Sequence, residues 1–232
     1  MSQAVPKTSA KTGGFRTKRE LAIGTLRDAI QEGRYVPGQR LSQAQLMSDL
    51  GLGSTPARDA ILELLARGVL VQESHHSVRV AELNLPRLRN IYRVRLLLEV
   101  EAAQLGSAKL TEDDLVAMTT QVERMEAARQ ANDPAEAGRA DLQFRRILYG
   151  AADNVILFDL IDQVWLSFPG SILLAIPGRL ERSIAEHYEI LKALTRRDPT
   201  AVGYCVQKHL LAALDVLETY VEEYLARSGS DD

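Results

Sequence analysis

The sequence has a single cysteine, Cys205, among its 232 residues. One cysteine excludes an internal disulfide framework, and its place among apolar helix positions favours a buried core residue over a reactive thiol. No apolar run reaches the roughly 18–20 residues of a membrane-spanning helix, and the N-terminus lacks the apolar core of a secretory signal. These absences predict a cytoplasmic protein without a membrane segment, built from one or two domains.

Charge is unevenly distributed along the chain. Residues 1–81 carry eleven basic and seven acidic side chains, a net charge of +4, whereas residues 82–232 carry seventeen and twenty-four, a net charge of −7. A basic first part on an acidic body is typical of a protein that presents one end to a polyanion such as nucleic acid. Chance variation in solvated charge is the alternative interpretation.

The basic part contains a well-marked amphipathic helix at residues 54–68. Its apolar positions have the spacing of one buried helix face: Ala57, Ala60, Ile61, Leu64 and Leu65. Thr55 is predicted to cap the helix, and Pro56 to take the first helical position, where its missing N–H costs nothing. Arg58 lies on another stripe and faces outward.

A shorter helix and a hairpin flank this helix. Ser42 and Gln45 form a capping box at the start of the shorter helix, and the glycine-containing turn at residues 51–53 joins the two helices. Extended runs at residues 69–73 and 77–80 predict a small β-hairpin, or wing. A helix-turn-helix with a wing places its second helix in the major groove of DNA.

This part of the chain resembles the GntR family of bacterial transcription regulators. The family pattern is G-x-Y-x-P-G-x-x-L-S, then T-P-x-R-[ED]-A, then L-x-x-x-G-[VL]-[VL]. It is carried by Gly33, Tyr35, Pro37, Gly38, Leu41, Ser42, Thr55, Pro56, Arg58, Asp59, Ala60, Leu64, Gly68, Val69 and Leu70. The chain departs from the family at Ala44, at Gly53-Ser54 in place of Ser-Arg, and at His75-His76, where a wing-tip glycine is usual.

The resemblance implies contacts with double-stranded DNA, at a palindromic operator bound by a homodimer. The residues predicted to contact DNA are Ser42, Gln43, Ser54, Thr55, Pro56, Arg58, His75, His76 and Arg79. Arg58 would hold a phosphate or a guanine edge. A solvated helix charge is the alternative role for Arg58.

The rest of the chain predicts a helical bundle. The expected helices span residues 86–108, 112–132, 134–152, 154–168, 179–197 and 199–227, with a short helix over a pocket mouth at 171–176. The predicted fold class is mainly α, with an N-terminal winged helix-turn-helix followed by an all-helical effector domain. The predicted layout is a disordered tail at 1–14, the reader at 15–80, a linker at 81–85, the bundle at 86–227, and a second tail at 228–232.

The bundle resembles the FCD ligand-binding domain of the FadR subgroup of GntR regulators. The matching residues are R-x-x-L-E at 95–99, D-x-x-F at 141–144, E-H-x-x-I at 186–190, Asp198 and His209. In most members of that subgroup, D-x-x-F-H, E-H and a last-helix histidine supply one aspartate and three histidines to a metal. Here Arg145 replaces the histidine after phenylalanine, so Asp141, His187 and His209 remain.

Helical projection places Asp141, Arg145, His187 and His209 on apolar stripes. Burying such groups is costly unless they are paired or bind something, although a lone buried histidine is usually a satisfied core residue. Two functional interpretations remain open. Asp141, His187 and His209 can bind Zn²⁺ or a similar divalent ion. Alternatively, Arg145 can pair with Asp141 one turn away or bind an effector carboxylate directly.

These observations predict a ligand-responsive DNA-binding transcription regulator, a repressor rather than an enzyme, that senses a small organic acid. The predicted effector-binding residues are Arg95, Asp141, Arg145, His187 and His209. A metal-dependent helical enzyme is one alternative, but the sequence has no carboxylate dyad, activated serine or cysteine, or phosphate-cradling glycine loop. A small-molecule-binding module with weakened DNA binding is the other.

Overall fold

The computed structural model describes residues 17–31, 34–74, 77–82, 84–166, 173–174 and 176–228. The predicted N-terminal tail, the wing-tip histidines His75 and His76, and residues 229–232 lie outside this part of the chain. Of the short helix predicted at 171–176, three residues are described, so that prediction lies largely outside it as well.

The N-terminal unit is a winged helix-turn-helix. Its elements are α1 (Lys18–Gln31), β1 (Arg40–Ser42), α2 (Gln43–Leu50), α3 (Ser54–Ala66), β2 (Leu70–Ser74) and β3 (Ser77–Val80). The strands form one antiparallel sheet in the order β1–β3–β2. Leu26, Leu46 and Leu64, one from each helix, are fully buried in a shared core, and burying each stabilises the unit by about 1.5–3 kcal/mol.

Strand β1 is absent from the sequence-based prediction. It is three residues long, too short for its alternation of buried and exposed side chains to form a pattern. Leu41 at its centre is buried and pairs with Val78 of β3. The wing is therefore the middle and edge of a three-stranded sheet rather than an isolated hairpin, which adds the stability that a two-stranded hairpin lacks.

The start of α3 also differs from the prediction. The helix begins at Ser54 with Gly53 as its N-cap, so the expectation that Thr55 caps it is wrong. Pro56 is the third helical residue rather than the first. Its missing N–H remains harmless because the first four N–H groups of a helix have no partner within the helix.

The remainder of the described chain is an all-helical bundle, which confirms the predicted fold class. Its helices are α4 (Leu85–Ser107), α5 (Glu112–Gln130), α6 (Pro134–Gly150), α7 (Val155–Leu166), α8 (Arg179–Thr195) and α9 (Pro199–Ser228). Side-chain caps begin five of them: Asn84 caps α4, Thr111 forms a capping box with Asp114 at α5, Asp133 caps α6, Asn154 caps α7 and Asp198 caps α9. The last helix extends to Ser228, one residue into the predicted tail.

Helix α6 packs against α4, α5 and α7. Its crossing with α4 brings the two backbones into contact at Gly106. A Cβ atom at this position would lie 2.0 Å from the Leu148 carbonyl oxygen, so the crossing requires glycine. Within the described ranges, no helix is both long enough and apolar enough to cross a membrane.

Candidate functional site

The outward face of α3 is the surface predicted to read DNA. Ser54, Thr55 and Arg58 are exposed on it, and Leu62 is 53% exposed one turn further on. Nε2 of Gln43 donates a hydrogen bond of 3.2 Å to the Ser54 backbone oxygen, which ties the start of α2 to the start of α3. An exposed guanidinium among small polar side chains suits contacts with phosphates and base edges.

Other residues predicted to contact DNA have structural roles in the free protein. The Ser42 hydroxyl accepts a hydrogen bond from the Gln45 backbone N–H and so caps α2. Pro56 is partly buried in the first turn of α3. DNA contacts by these two residues stay predictions, as do contacts by His75 and His76, which lie outside the described residues.

The carboxylate of Glu73 on the wing holds two arginines. Nε of Arg40 lies 2.9 Å from Oε2 of Glu73, and Arg79 bonds the other carboxylate oxygen. Arg79 also donates a hydrogen bond of 2.7 Å to the Gly38 carbonyl oxygen. Sequence spacing does not reveal this three-residue cluster because only the folded sheet brings its members together. A DNA phosphate must therefore compete with Glu73 for Arg79.

Three side chains predicted as metal ligands meet inside the bundle. Asp141 on α6, His187 on α8 and His209 on α9 are buried, and one ligand atom from each lies within 4.8 Å of the other two. The helical projection had placed all three on inward faces, and the fold brings those faces to one point. Their role as ligands stays a prediction.

Hydrogen bonds leave one ring nitrogen of each histidine available. Nδ1 of His187 lies 2.7 Å from the Ser183 backbone oxygen, and Nδ1 of His209 lies 2.6 Å from Oε2 of Glu186. Carbonyl and carboxylate oxygens only accept hydrogen bonds, so both Nδ1 atoms carry a proton. In the neutral rings the Nε2 atoms therefore present lone pairs, the form in which histidine binds a metal.

The contact between Asp141 and His187 has the spacing of two ligands of one cation. Nε2 of His187 lies 3.0 Å from Oδ1 of Asp141. Oδ1 nevertheless makes no hydrogen bond within the described residues, because the two atoms are close without being aligned as donor and acceptor. Two ligands of one tetrahedral zinc ion are about 3.3 Å apart, given zinc–ligand distances of about 2.0–2.1 Å.

Surrounding charges set the protonation of this cluster. Burial opposes the charge on Asp141, but the Arg145 guanidinium and the His187 ring outweigh burial and hold the pKa of the carboxyl below its usual range. Burial lowers the pKa of His209 to about 4, against the opposing effect of Glu186. At neutral pH, Asp141 is thus ionised and His209 is neutral, the forms that can bind a cation.

Arg145 occupies the position that the resemblance assigns to a fourth ligand. Its guanidinium bonds Oδ2 of Asp141 and lies over the Trp165 ring, with Cζ 4.7 Å from the ring centroid. Its Nε is buried and has no hydrogen-bond partner among the residues that the structure describes. Arg145 is therefore a fixed cation with one donor still to be satisfied.

Arg95, also predicted to bind the effector, is held by a buried ion pair. Its Nε lies 2.6 Å from Oε1 of Glu99, which also accepts a hydrogen bond of 3.0 Å from Nε1 of Trp165. The guanidinium lies over the ring of Tyr92, whose buried hydroxyl has no partner in the described part of the chain. Sequence analysis missed Tyr92, because a tyrosine on an apolar helix face is indistinguishable from core.

Asp141, Arg145 and His209 line a cavity of about 660 Å³, together with Tyr92 and Arg95. This volume is within the range of about 300–1,000 Å³ that small-molecule sites occupy. Among the described lining residues, arginines outnumber acidic side chains by six to two. The charged residues of the wall are Arg27, Asp28, Arg95, Arg124, Arg139, Asp141, Arg145 and Arg146. Each of these arginines already pairs with a carboxylate of the protein, so an anionic ligand would share or replace those partners.

Comparison with protein families divides the chain into the same two parts. Residues 19–80 match the family described as bacterial regulatory proteins, gntR family, and residues 90–212 match the FCD domain. The chain belongs to the GntR family of regulators, in the subgroup that carries an FCD domain. It is a ligand-responsive, DNA-binding transcription regulator.

Relatives of this GntR-family chain match it over most of their length. The HTH-type transcriptional regulator McbR of Escherichia coli (strain K12) is 28% identical over 204 residues, 86% of this chain and 88% of McbR. YdhC of Bacillus subtilis (strain 168), an HTH-type transcriptional regulator, is 25% identical over 201 residues, 85% of this chain and 90% of YdhC. The solved structure of E. coli McbR/YncC has a TM-score of 0.82 at 26% identity and covers 89% of this chain and 100% of that one.

The FCD domain of this GntR-family member supports its histidines with further charged residues. Glu186, which accepts from His209, also accepts a hydrogen bond of 2.8 Å from Nη2 of Arg179, whose side chain is fully buried. Such partners fix the orientation of a histidine ligand. Glu186 directly precedes His187 in the E-H motif, so the motif could have pointed to it. No pattern in the sequence marks Arg179.

Proposed function

We propose that this regulator is a homodimeric repressor that works in the cytoplasm and releases a palindromic operator when a small carboxylate enters the cavity. The observation that carries the proposal is the meeting of Asp141, His187 and His209 beside Arg145, at the wall of a cavity rich in arginine. A carboxylate there would gain charge-assisted hydrogen bonds, which are about twice as strong as neutral ones.

A divalent metal ion, zinc or a similar ion, is the first candidate for the cation that anchors the ligand. Asp141, His187 and His209 would hold it, and three protein ligands leave a coordination position for a carboxylate oxygen. The lone pairs on Nε2 and the 3.0 Å spacing between His187 and Asp141 support this fit. Arg145 weakens it, because a fixed positive charge lies on the other oxygen of Asp141.

Arg145 is the second candidate, and it needs no metal. In that case the Arg145 guanidinium, which already pairs with Asp141, binds the ligand carboxylate directly. The Nε of Arg145, buried without a partner among the described residues, supports this alternative. The two candidates differ in one measurable respect, which is whether removal of metal abolishes the response to the ligand.

The proposed dimer surface lies on α4 and α7, which pack side by side. Large apolar side chains are exposed on both helices: Val94, Leu97 and Leu105 on α4, and Val155, Ile156 and Leu160 on α7. Leu97 is the most exposed of these side chains, at 75%. Exposed apolar side chains that form a large patch are uncommon on a monomer. A second copy of the chain is the occupant that a two-fold DNA reader requires.

Purified full-length protein permits a direct test. DNA selected from genomic fragments should contain a palindrome, and succinate should raise the Tm of the protein and weaken its binding to that palindrome. Metal analysis and repetition with EDTA then separate the two candidate cations. A selection without any palindrome, or dicarboxylates that affect neither Tm nor operator binding, would refute the proposal. We further propose that the protein is not an enzyme, so succinate should be recovered unchanged.

A further inference from the structure

The Asp162 carboxylate on α7 contacts arginines from both parts of the chain. Oδ2 of Asp162 lies 3.5 Å from Nη1 of Arg27 on α1, and Oδ1 lies 3.5 Å from Nη2 of Arg146 on α6. Helix α1 belongs to the winged unit, whereas α6 carries Asp141 and Arg145. One carboxylate therefore joins the DNA-binding unit to the helix that carries the candidate effector cluster. We call these three residues the Asp162 bridge.

Both arginines of the Asp162 bridge are also wall residues of the cavity. Arg27 and Arg146 line it together with Arg145. The Nε of Arg146 is buried and lacks a hydrogen-bond partner within the ranges described, so this guanidinium retains an unsatisfied donor. Arg27 is the closer link to DNA, because it belongs to the helix that packs against the reading helix α3.

The Asp162 bridge is weak enough to be exchanged for a ligand. Contacts of 3.5 Å are long for a charge-assisted hydrogen bond. The side chains of Arg27 and Asp162 are 21% and 29% exposed to solvent. Ion pairs near the surface contribute little to stability. Nε of Arg27 also lies 3.0 Å from Oδ1 of Asp28, so Arg27 keeps one carboxylate partner when an anion takes the place of Asp162.

We infer that an anion in the cavity competes with Asp162 for Arg146 and Arg27, and that Arg27 is the residue through which the winged unit senses the ligand. The inference rests on the proposed function. In the ligand-free protein the Asp162 bridge holds α1 in the arrangement that binds the operator. Transfer of Arg27 to the ligand ends that restraint, and operator DNA weakens ligand binding by the same factor.

A double-mutant cycle on the full-length protein tests the bridge without any ligand. Arg27→Gln and Asp162→Asn should each lower operator affinity by about fivefold or more, the lower end of typical allosteric coupling. The double variant should bind no more weakly than the weaker single variant, because both changes remove the same contact. Effects that simply add, or affinities equal to wild type, would overturn the inference.

Two controls exclude a simpler explanation for Arg27. A plain phosphate contact would be lost equally on scrambled DNA, whereas loss of the bridge should leave scrambled-DNA affinity unchanged. The matched variant is Arg19→Gln, which removes a guanidinium from the same helix where it bonds Glu63 of the winged unit. Its effect on operator affinity should add to that of Asp162→Asn, since the two residues share no contact in the bridge.

A second experiment adds a ligand and compares succinate with sodium chloride at equal ionic strength. In wild type, succinate should raise Tm and weaken operator binding. In Arg27→Gln, succinate should still raise Tm, because Arg145 and the histidine cluster are intact, but it should no longer change operator affinity. A full succinate effect on DNA binding in Arg27→Gln overturns the inference. If succinate leaves the wild-type Tm unchanged, the carboxylate proposal fails for this probe. The double-mutant cycle still tests whether the Asp162 bridge supports operator binding.

Discussion

Arg145 and Asp141 lie one helical turn apart on α6 and form an ion pair with little solvent exposure at the wall of the cavity. One oxygen of Asp141 is thus committed to a protein cation, while the other lies 3.0 Å from Nε2 of His187. The carboxylate lies between the permanent charge of Arg145 and a ring nitrogen of His187. The stability of the bundle and its affinity for a metal ion should both depend on how Asp141 is shared between Arg145 and His187.

Breaking the pair should destabilise the metal-free protein. Asp141→Asn or Arg145→Met leaves the other charge buried and unpaired, so each should cost about 3–5 kcal/mol in urea unfolding with EDTA present. The double variant should lose less than the sum of the two. Arg139→Met on the exposed side of the same helix is the control, expected within about 0.5 kcal/mol of wild type. Single variants as stable as that control would show that the pair is not a structural unit.

Replacing Arg145 by histidine should strengthen zinc binding. The change removes a fixed positive charge beside Asp141 and adds a neutral imidazole, which restores one aspartate and three histidines. Competition with a chromophoric chelator measures the affinity. Arg146→His, which adds an imidazole at the next position of the helix, is the control. If Arg145→His gains nothing over that control, the side chain at 145 does not reach the site.

Removing the guanidinium from the reading helix should weaken operator binding. Arg58→Ala should cost about 1–3 kcal/mol if Arg58 contacts a base, and should reduce the salt slope by about one if it contacts a phosphate. Arg67→Ala, at the other end of α3 where Arg67 bonds Glu63, is the matched control. Fluorescence anisotropy at several salt concentrations distinguishes these outcomes, and an Arg58→Ala variant identical to wild type argues against the docking of α3.

Glu73→Gln should make DNA binding stronger and more dependent on salt. The change frees Arg40 and Arg79 from their shared carboxylate, so up to two more phosphates can be neutralised, each steepening the salt slope by about 0.9. Glu82→Gln removes an exposed charge of the same sign and controls for net charge alone. Equal effects of the two variants would mean that Glu73 does not restrain the wing arginines.

A charge on the apolar surface of α4 should separate the proposed dimer. Leu97→Glu buries a carboxylate at the interface if Leu97 packs against a second copy, and sedimentation should then detect monomers that bind the palindrome weakly. Val116→Glu introduces the same charge at a position that is 66% exposed on α5. It should remain dimeric. A dimeric Leu97→Glu variant would place the interface elsewhere.

Local patterns were enough to predict most of this fold. The apolar spacing of residues 54–68 and the cap at Ser42 mark helices because helix periodicity and capping act within a few residues. The same projection predicted that Asp141, His187 and His209 face inward. It failed for β1, whose three residues pair only with β3, a strand far along the chain.

Contacts between distant segments were beyond sequence patterns. Glu73 with Arg40, and Glu186 with His209, pair only because the folded chain brings their elements together. The Asp162 bridge joins residues 135 positions apart. Charge patterns along one helix report neighbours three or four residues away, so they contain no information about such pairs.

The glycine contact between α4 and α6 determines how the bundle can move. At Gly106 the helix backbones already touch at the Leu148 carbonyl, so no side chain is present that could be compressed. Asp141 lies two turns earlier on α6, about 10 Å along the axis at 1.5 Å per residue. A ligand that displaces Asp141 therefore cannot push α6 toward α4. At this contact α6 can slide along α4, turn on it or move away from it, but it cannot come closer.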